Sequence, residues 1–243
     1  MTNGARGVAV VTGGGSGIGR EVALALARRG HRLALLGRRP EPLAETLARL
    51  PVSPDAASPA SAAFACDVRD PEALGRAAAE IEARFGAPEV LVPAAGVAVL
   101  RSLEELSPED FQAVLATNLT GVFLTLRAFL PGMRRQQRGW IFPLLSVAAR
   151  RGFPGWSAYC ASKWGLAGLL AALREELAGS GVKLTALYPG ATDTPIWEAA
   201  PGSWNRAAMV PPEEVARAVV WALDADPRTL VEEIHLGPAG GAL

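Results

Sequence analysis

The sequence is short of cysteine, of surplus charge and of long uninterrupted apolar runs, and each shortage excludes something. Cys66 and Cys160 are the two cysteines among 243 residues. That is too few for a disulfide framework, and the N-terminal segment shows no apolar signal core with a cleavage site, so a reducing cytoplasm is expected. Lys plus Arg total 24 and Asp plus Glu total 24. No positive excess is left to neutralise a phosphate backbone or an anionic bilayer, which argues against nucleic acid and membrane as partners. The longest apolar stretches, such as Trp164–Leu173, end in charge well short of the ~20 residues that span a bilayer. His31 and His235 have no ligand-spaced companions, so no metal site is expected.

What is present is apolar residue in quantity. Half of the chain is hydrophobic and 20% is charged, enough side chain to cover a large sheet on both faces. The length suits one α/β domain spanning 1–243. Short runs rich in Val, Leu and Ala fall at 7–12, 32–36, 62–66, 90–93, 140–145, 183–187 and 233–236, most of them too uniformly apolar to have a wet face. Helical spacing fills 17–29, 41–50, 71–85, 108–137, 157–178 and 212–223, with Asp70-Pro71 and Ser107-Pro108 reading as helix starts. The alternation predicts a parallel sheet of about seven strands flanked by helices on both faces. Pro51–Ser61 reads as a surface loop. Pro195–Pro212 follows a strand and is expected to fold over the carboxyl edge of the sheet, where open α/β sheets bind ligands.

The first strand runs into Thr12-Gly13-Gly14-Gly15-Ser16-Gly17-Ile18-Gly19 and then a helix. Glycines there let the backbone approach a diphosphate, whose charge meets free N–H groups and the positive end of the helix dipole. About twenty residues on, at the end of the second strand, stand Gly37-Arg38-Arg39, with no carboxylate to hold the 2′-hydroxyl of NAD. An arginine there can take the 2′-phosphate of NADP, so NADP is favoured as cofactor with NAD still open. As surface residues opening a helix, Arg38 and Arg39 would look the same.

Tyr159-Cys160-Ala161-Ser162-Lys163 places a tyrosine and a lysine four residues apart on one helix face. A free tyrosine, with a pKa near ~10, shuttles protons poorly at neutral pH unless a nearby cation stabilises its phenolate. Lys163 is expected to be that cation. Tyr159 would then protonate a carbonyl oxygen in reduction and take an alcohol proton in oxidation. Cys160 beside it is expected to be a buried, inert thiol.

The Thr-Gly-x-x-x-Gly-x-Gly turn and the Tyr-x-x-x-Lys unit together resemble the classical short-chain dehydrogenase/reductase family, and the resemblance runs along nearly the whole chain. It implies a doubly wound, Rossmann-like strand order for the sheet and a catalytic set of Asn118, Ser146, Tyr159 and Lys163. Ser146 would bond the substrate oxygen and orient the tyrosine, and Asn118 would hold a water linking the lysine to solvent. The cofactor set it implies is Gly13, Ser16, Gly17, Ile18, Gly19, Asp67, Val68, Ala95, Gly96, Tyr159, Lys163, Pro189, Gly190, Thr192 and Thr194, to which Arg38 and Arg39 are added. Asp67 would meet the adenine amino group, unless it caps the helix that starts at Pro71. The implied reaction is hydride transfer between nicotinamide and a carbonyl or secondary alcohol, as in 3-oxoacyl-thioester reductases or general carbonyl reductases. Homotetramers or homodimers are common in the family.

Taken singly, each catalytic candidate has a plain reading: Tyr159 a core aromatic, Lys163 a surface charge, Ser146 a strand end, Asn118 a helix irregularity. Four of them in family order beside the glycine turn favour chemistry. One departure stands out, because Pro93-Ala94-Ala95-Gly96 replaces the family's Asn-Asn-Ala-Gly and removes two amides that would brace the sheet. Pro93 should end its strand. The departure keeps open a second reading, a cofactor-binding redox sensor without turnover. Trp156 and Trp197 are candidate substrate residues, with Phe153, Ile196 and Trp204 near them, although core or oligomer-contact residues would look alike.

Overall fold

A computed structural model describes residues 6–51, 60–199 and 203–241. Residues 52–59, and with them most of the Pro51–Ser61 loop expected from sequence, lie outside the described residues.

The glycine turn joins strand β1 (Val8–Thr12) to helix α1 (Gly17–Arg28), and the alternation continues through β2 (Arg32–Gly37), α2 (Pro40–Ala48), β3 (Ala62–Ala65), α3 (Pro71–Phe85) and β4 (Val90–Pro93). After β4 come α4 (Pro108–Leu115), a π turn at Ala116–Thr120 and α5 (Gly121–Arg135). Then follow β5 (Gly139–Ile141), α6 (Ser157–Glu176), β6 (Val182–Leu184), β7 (Ala186–Pro189), α7 (Pro212–Leu223) and β8 (Glu233–Leu236). Ser107 caps α4 through Asp110 N, and Asp70 caps α3 through Glu72 N and Ala73 N. The capping reading of Asp67 therefore passes to Asp70.

All pairings are parallel, in the order β3-β2-β1-β4-β5-β6, with β7 and β8 as a second pair. The run expected at 183–187 is thus two strands parted at Thr185. The break is a consequence of Pro143, which has no N–H to give to the ladder. Around it Thr185 N still donates to Ile141 O, Leu187 N to Pro143 O and Leu145 N to Leu187 O, so the β7–β8 pair carries the sheet onward. The same proline shortens β5, expected to reach Leu145.

Side chains alternate between two cores, as a sheet covered on both faces requires. Val8, Val10, Leu36, Leu91 and Ile141 point to α3, α5 and α6, whereas Ala9, Val11, Leu33, Leu35 and Val92 point to α1, α2 and α7. Pro108–Arg135, read end to end, is by length and composition apolar enough to cross a membrane. Here its inward face, with Val122, Leu126, Phe129 and Met133, is buried in the sheet core, and Val114 is buried too.

Candidate active site

The carboxyl ends of β1, β4, β5 and β7 open onto one cavity of about 750 Å³. Gly13, Ser16, Gly17, Ile18 and Gly19 form one end of it, Ala95, Gly96, Pro189, Gly190, Thr192 and Thr194 line it further on, and Ser146, Tyr159 and Lys163 stand deeper in.

The glycine turn fits a diphosphate on its own geometry. Gly13 has φ +68°, and a Cβ on it would lie 2.9 Å from Ala95 backbone; one on Gly19 would lie 2.4 Å from Gly13 O. Gly17 has φ +50° and sits against Thr194. Only glycine allows the turn and the helix to close to this distance. The first turn of α1 holds no acidic residue, and Ser16 makes no side-chain cap. The leading amides of the helix are therefore left for an anion.

The altered Pro93-Ala94-Ala95-Gly96 segment is braced from another direction. Thr12 Oγ1 accepts Ala94 N at 3.1 Å and Ala95 N at 3.2 Å, so the amides at the floor are satisfied without asparagine side chains. The sequence reading missed Thr12 in this role, although it opens the glycine motif.

Asn118 is fully buried in the π turn. Its Oδ1 accepts Val97 N at 2.9 Å, while Nδ2 donates to Val97 O at 2.9 Å and to Ser162 Oγ at 3.1 Å. The amide thus grips the chain just past the floor and joins it to α6. An extra residue in the helical turn aims it inward, which resolves the awkwardness of Asn inside a helix.

Lys163, 4% exposed, donates from Nζ to Leu144 O at 2.7 Å and lies 5.5 Å from the centroid of the Tyr159 ring. Burial takes its ammonium down to about 8. Burial pushes the phenol of Tyr159 up to about 12, against a weaker downward pull from the Ser146 hydroxyl. Desolvation of the phenolate is the largest influence on the tyrosine, and it favours the neutral phenol, the form that donates a proton. Ser146 Oγ also accepts Ala148 N at 3.1 Å, which fixes its orientation at the start of a short 3-10 turn.

Trp156, Trp197 and Trp204 wall the cavity beside Tyr159. Trp156 meets Tyr159 edge-on at 5.3 Å and Trp197 at 5.6 Å, and Trp197 meets Trp204 at 4.7 Å. Trp197 is fixed by its Nε1 bond to Thr192 O at 2.8 Å. Ion pairing of Arg206 with Asp193, and the Thr192–Val210 bridge, tie the 203–210 segment to the strand end. Residues 200–202 of the expected covering segment lie outside the described residues. Val97, Ala98, Val147, Ala148, Arg151 and Pro154 also line the cavity, and no local pattern singled them out.

Arg38, Arg39, Asp67 and Val68 are not in the lining. Arg38 and Arg39 are exposed at the end of β2, and among the described residues neither makes an ion pair. The Asp67 carboxylate is bound by Arg69, whose guanidinium holds it below the usual carboxylate range. Val68 is buried, its side chain against Gly121.

A family model for short chain dehydrogenases matches residues 7–202. The sepiapterin reductase of Chlorobaculum tepidum is 35% identical over 96% of this chain and 97% of its own length. The D-threitol dehydrogenase of Mycolicibacterium smegmatis is 34% identical over 96% and 92%. The X-ray structure of an alcohol dehydrogenase from Thermococcus sibiricus complexed with 5-hydroxy-NADP superposes with a TM-score of 0.83, at 32% identity over 96% of this chain and 97% of that one. With the fold, these matches make the chain an oxidoreductase of the NAD(P)-dependent kind. It belongs to the short-chain dehydrogenase family.

Proposed function

We propose that the chain, acting as one domain, reduces apolar carbonyl compounds with NADPH, Tyr159 supplying the proton. The observation that carries this is a neutral Tyr159 phenol beside Ser146 in one cavity that Phe153, Trp156, Trp197 and Trp204 also line. NADP would rest its diphosphate on Gly13, Ser16, Gly17, Ile18 and Gly19, its 2′-phosphate by Arg38 or Arg39, and its adenine by Asp67 and Val68. Its nicotinamide half would lie along Ala95, Gly96, Pro189, Gly190, Thr192 and Thr194. The cofactor supplies the hydride.

The chain's own residues do the rest. Ser146 donates to the carbonyl oxygen and sets its position, and Tyr159 Oη gives that oxygen a proton as the carbon receives the hydride. Lys163, with an ammonium that ionises near 8, is able to return a proton near neutral pH. Asn118 keeps Val97 and α6 at a fixed distance through its three hydrogen bonds.

The lining bears on substrate. A polyol such as threitol needs hydrogen-bond partners along its length, and beyond Ser146 and Tyr159 the wall of Ala98, Phe153, Trp156, Ile196, Trp197 and Trp204 offers few. The same wall suits a general carbonyl reductase. The sensor reading drew on the missing asparagines, and the Thr12 bonds to Ala94 and Ala95 remove its motive. Exposed Phe123, Trp164 and Trp221 support a homodimer or homotetramer, and two free thiols fit work in the cytoplasm. The test is turnover of apolar ketones with NADPH in the unaltered chain and in Tyr159→Phe. Loss of turnover with cofactor binding kept supports the reading; an active phenylalanine variant refutes it.

A further inference from the structure

Among the described residues no Asp or Glu lines the cavity, and two cations do. One, Lys163, sits at the floor on the Leu144 carbonyl. The other is Arg151, which is exposed and also lines the cavity. Its chain neighbour shows what a committed arginine looks like: Arg150 donates to both carboxylate oxygens of Glu233, at 2.6 and 2.8 Å, and to the Tyr188 hydroxyl at 3.0 Å. Arg151 makes no ion pair and no side-chain hydrogen bond among the described residues. Its guanidinium carbon lies over the Phe153 ring, 4.7 Å from the centroid.

An arginine carried on an aromatic ring keeps its edge donors for a planar anion, which it can bind through two parallel bonds. Beside this largely apolar wall, those donors meet no side-chain acceptor among the described residues. We propose that Arg151 is the anion subsite of the substrate cavity. The preferred substrate is then an aryl or alkyl ketone or aldehyde bearing a carboxylate away from the carbonyl. Its apolar body packs on Trp156, Trp197 and Trp204 while the carbonyl meets Tyr159 and the carboxylate meets Arg151. This deepens the reading of the chain as a carbonyl reductase and rests on it.

The test uses the full chain with NADPH and phenyl ketones that carry a carboxylate two, three or four methylenes from the carbonyl, each paired with its methyl ester. At the best length the acid should exceed its ester in kcat/KM by about tenfold, the scale of one charge-assisted pair at a partly exposed site. Added salt should narrow the ratio. Arg151→Gln should bring it to about one, and Arg151→Lys should keep part of it, since the charge remains and the fork does not. Esters equal to acids at every length would overturn the proposal. So would an Arg151→Gln variant that weakens NADPH binding and leaves the acid-to-ester ratio intact, because Arg151 would then serve the cofactor. Quenching of tryptophan fluorescence by the acids in the NADP-loaded protein separates the two levels. Arg151-dependent binding of acids without reduction keeps the subsite and removes the reductase reading. Reduction of esters with no preference for acids does the reverse.

Discussion

Replacing Lys163 with methionine should make the chain more stable at pH 7 while disabling its proton chemistry. Lys163 is 4% exposed, and burial lowers its ammonium from the ordinary 10.5 to about 8. Such a lowering corresponds to about 3 kcal/mol against the charged folded state. Methionine matches the stem but gives up the hydrogen bond to Leu144 O, worth about 1 kcal/mol, and the net gain expected is about 2 kcal/mol. For a domain of this size that is a rise in Tm of roughly 4–8 °C. The sign depends on pH. Below about 8 both folded and unfolded chains hold the proton and the full cost is present. Between about 8 and 10.5 the unfolded chain binds the proton and the folded chain does not, so stability of the unaltered protein climbs with pH and the advantage of Lys163→Met shrinks. Thermal melts followed by circular dichroism at pH 7 and pH 10 measure both effects. A less stable variant at pH 7, or a gap equal at the two pH values, would refute the reasoning.

Thr12→Val, close to isosteric, strands the Ala94 and Ala95 amides and should cost about 2 kcal/mol in urea unfolding, with weaker NADPH binding. Arg38→Gln with Arg39→Gln should raise KM for NADPH and leave KM for NADH nearly unchanged; equal effects on both would remove the 2′-phosphate assignment. With the Tyr159 phenol near 12, reduction needs the form present at neutral pH and should hold its rate there. Oxidation needs the phenolate and should rise with pH through the alkaline range, which initial rates in both directions will show.

The sheet and the reaction centre were legible because their signals are local. The apolar strand runs, the glycines of Thr12–Gly19 and the four-residue step from Tyr159 to Lys163 each lie within a few positions. What escaped depends on partners distant in sequence. Pro143 splits the strand at Thr185 through a ladder that needs both segments in place. The π turn exists because Asn118 must reach Val97 and Ser162. Trp156 and Trp204 converge on one wall from separate segments, and nothing in Arg150-Arg151 says which arginine Glu233 takes. The direction in which burial moves the Tyr159 phenol is illegible for the same reason. The spacing puts a cation nearby, but the depth of burial, which decides the direction, is a property of the whole fold.

The central claim is that hydride passes from the nicotinamide to a carbonyl carbon while Tyr159 protonates the oxygen. NADPH carrying deuterium at the transferable position, incubated with an apolar aryl ketone, tests it most directly. Deuterium is expected on the carbinol carbon of the product by mass spectrometry, and none above background with Tyr159→Phe. NADPH bound in stoichiometric amount with no deuterium reaching carbon from any ketone tried, or equal transfer in the phenylalanine variant, would contradict it.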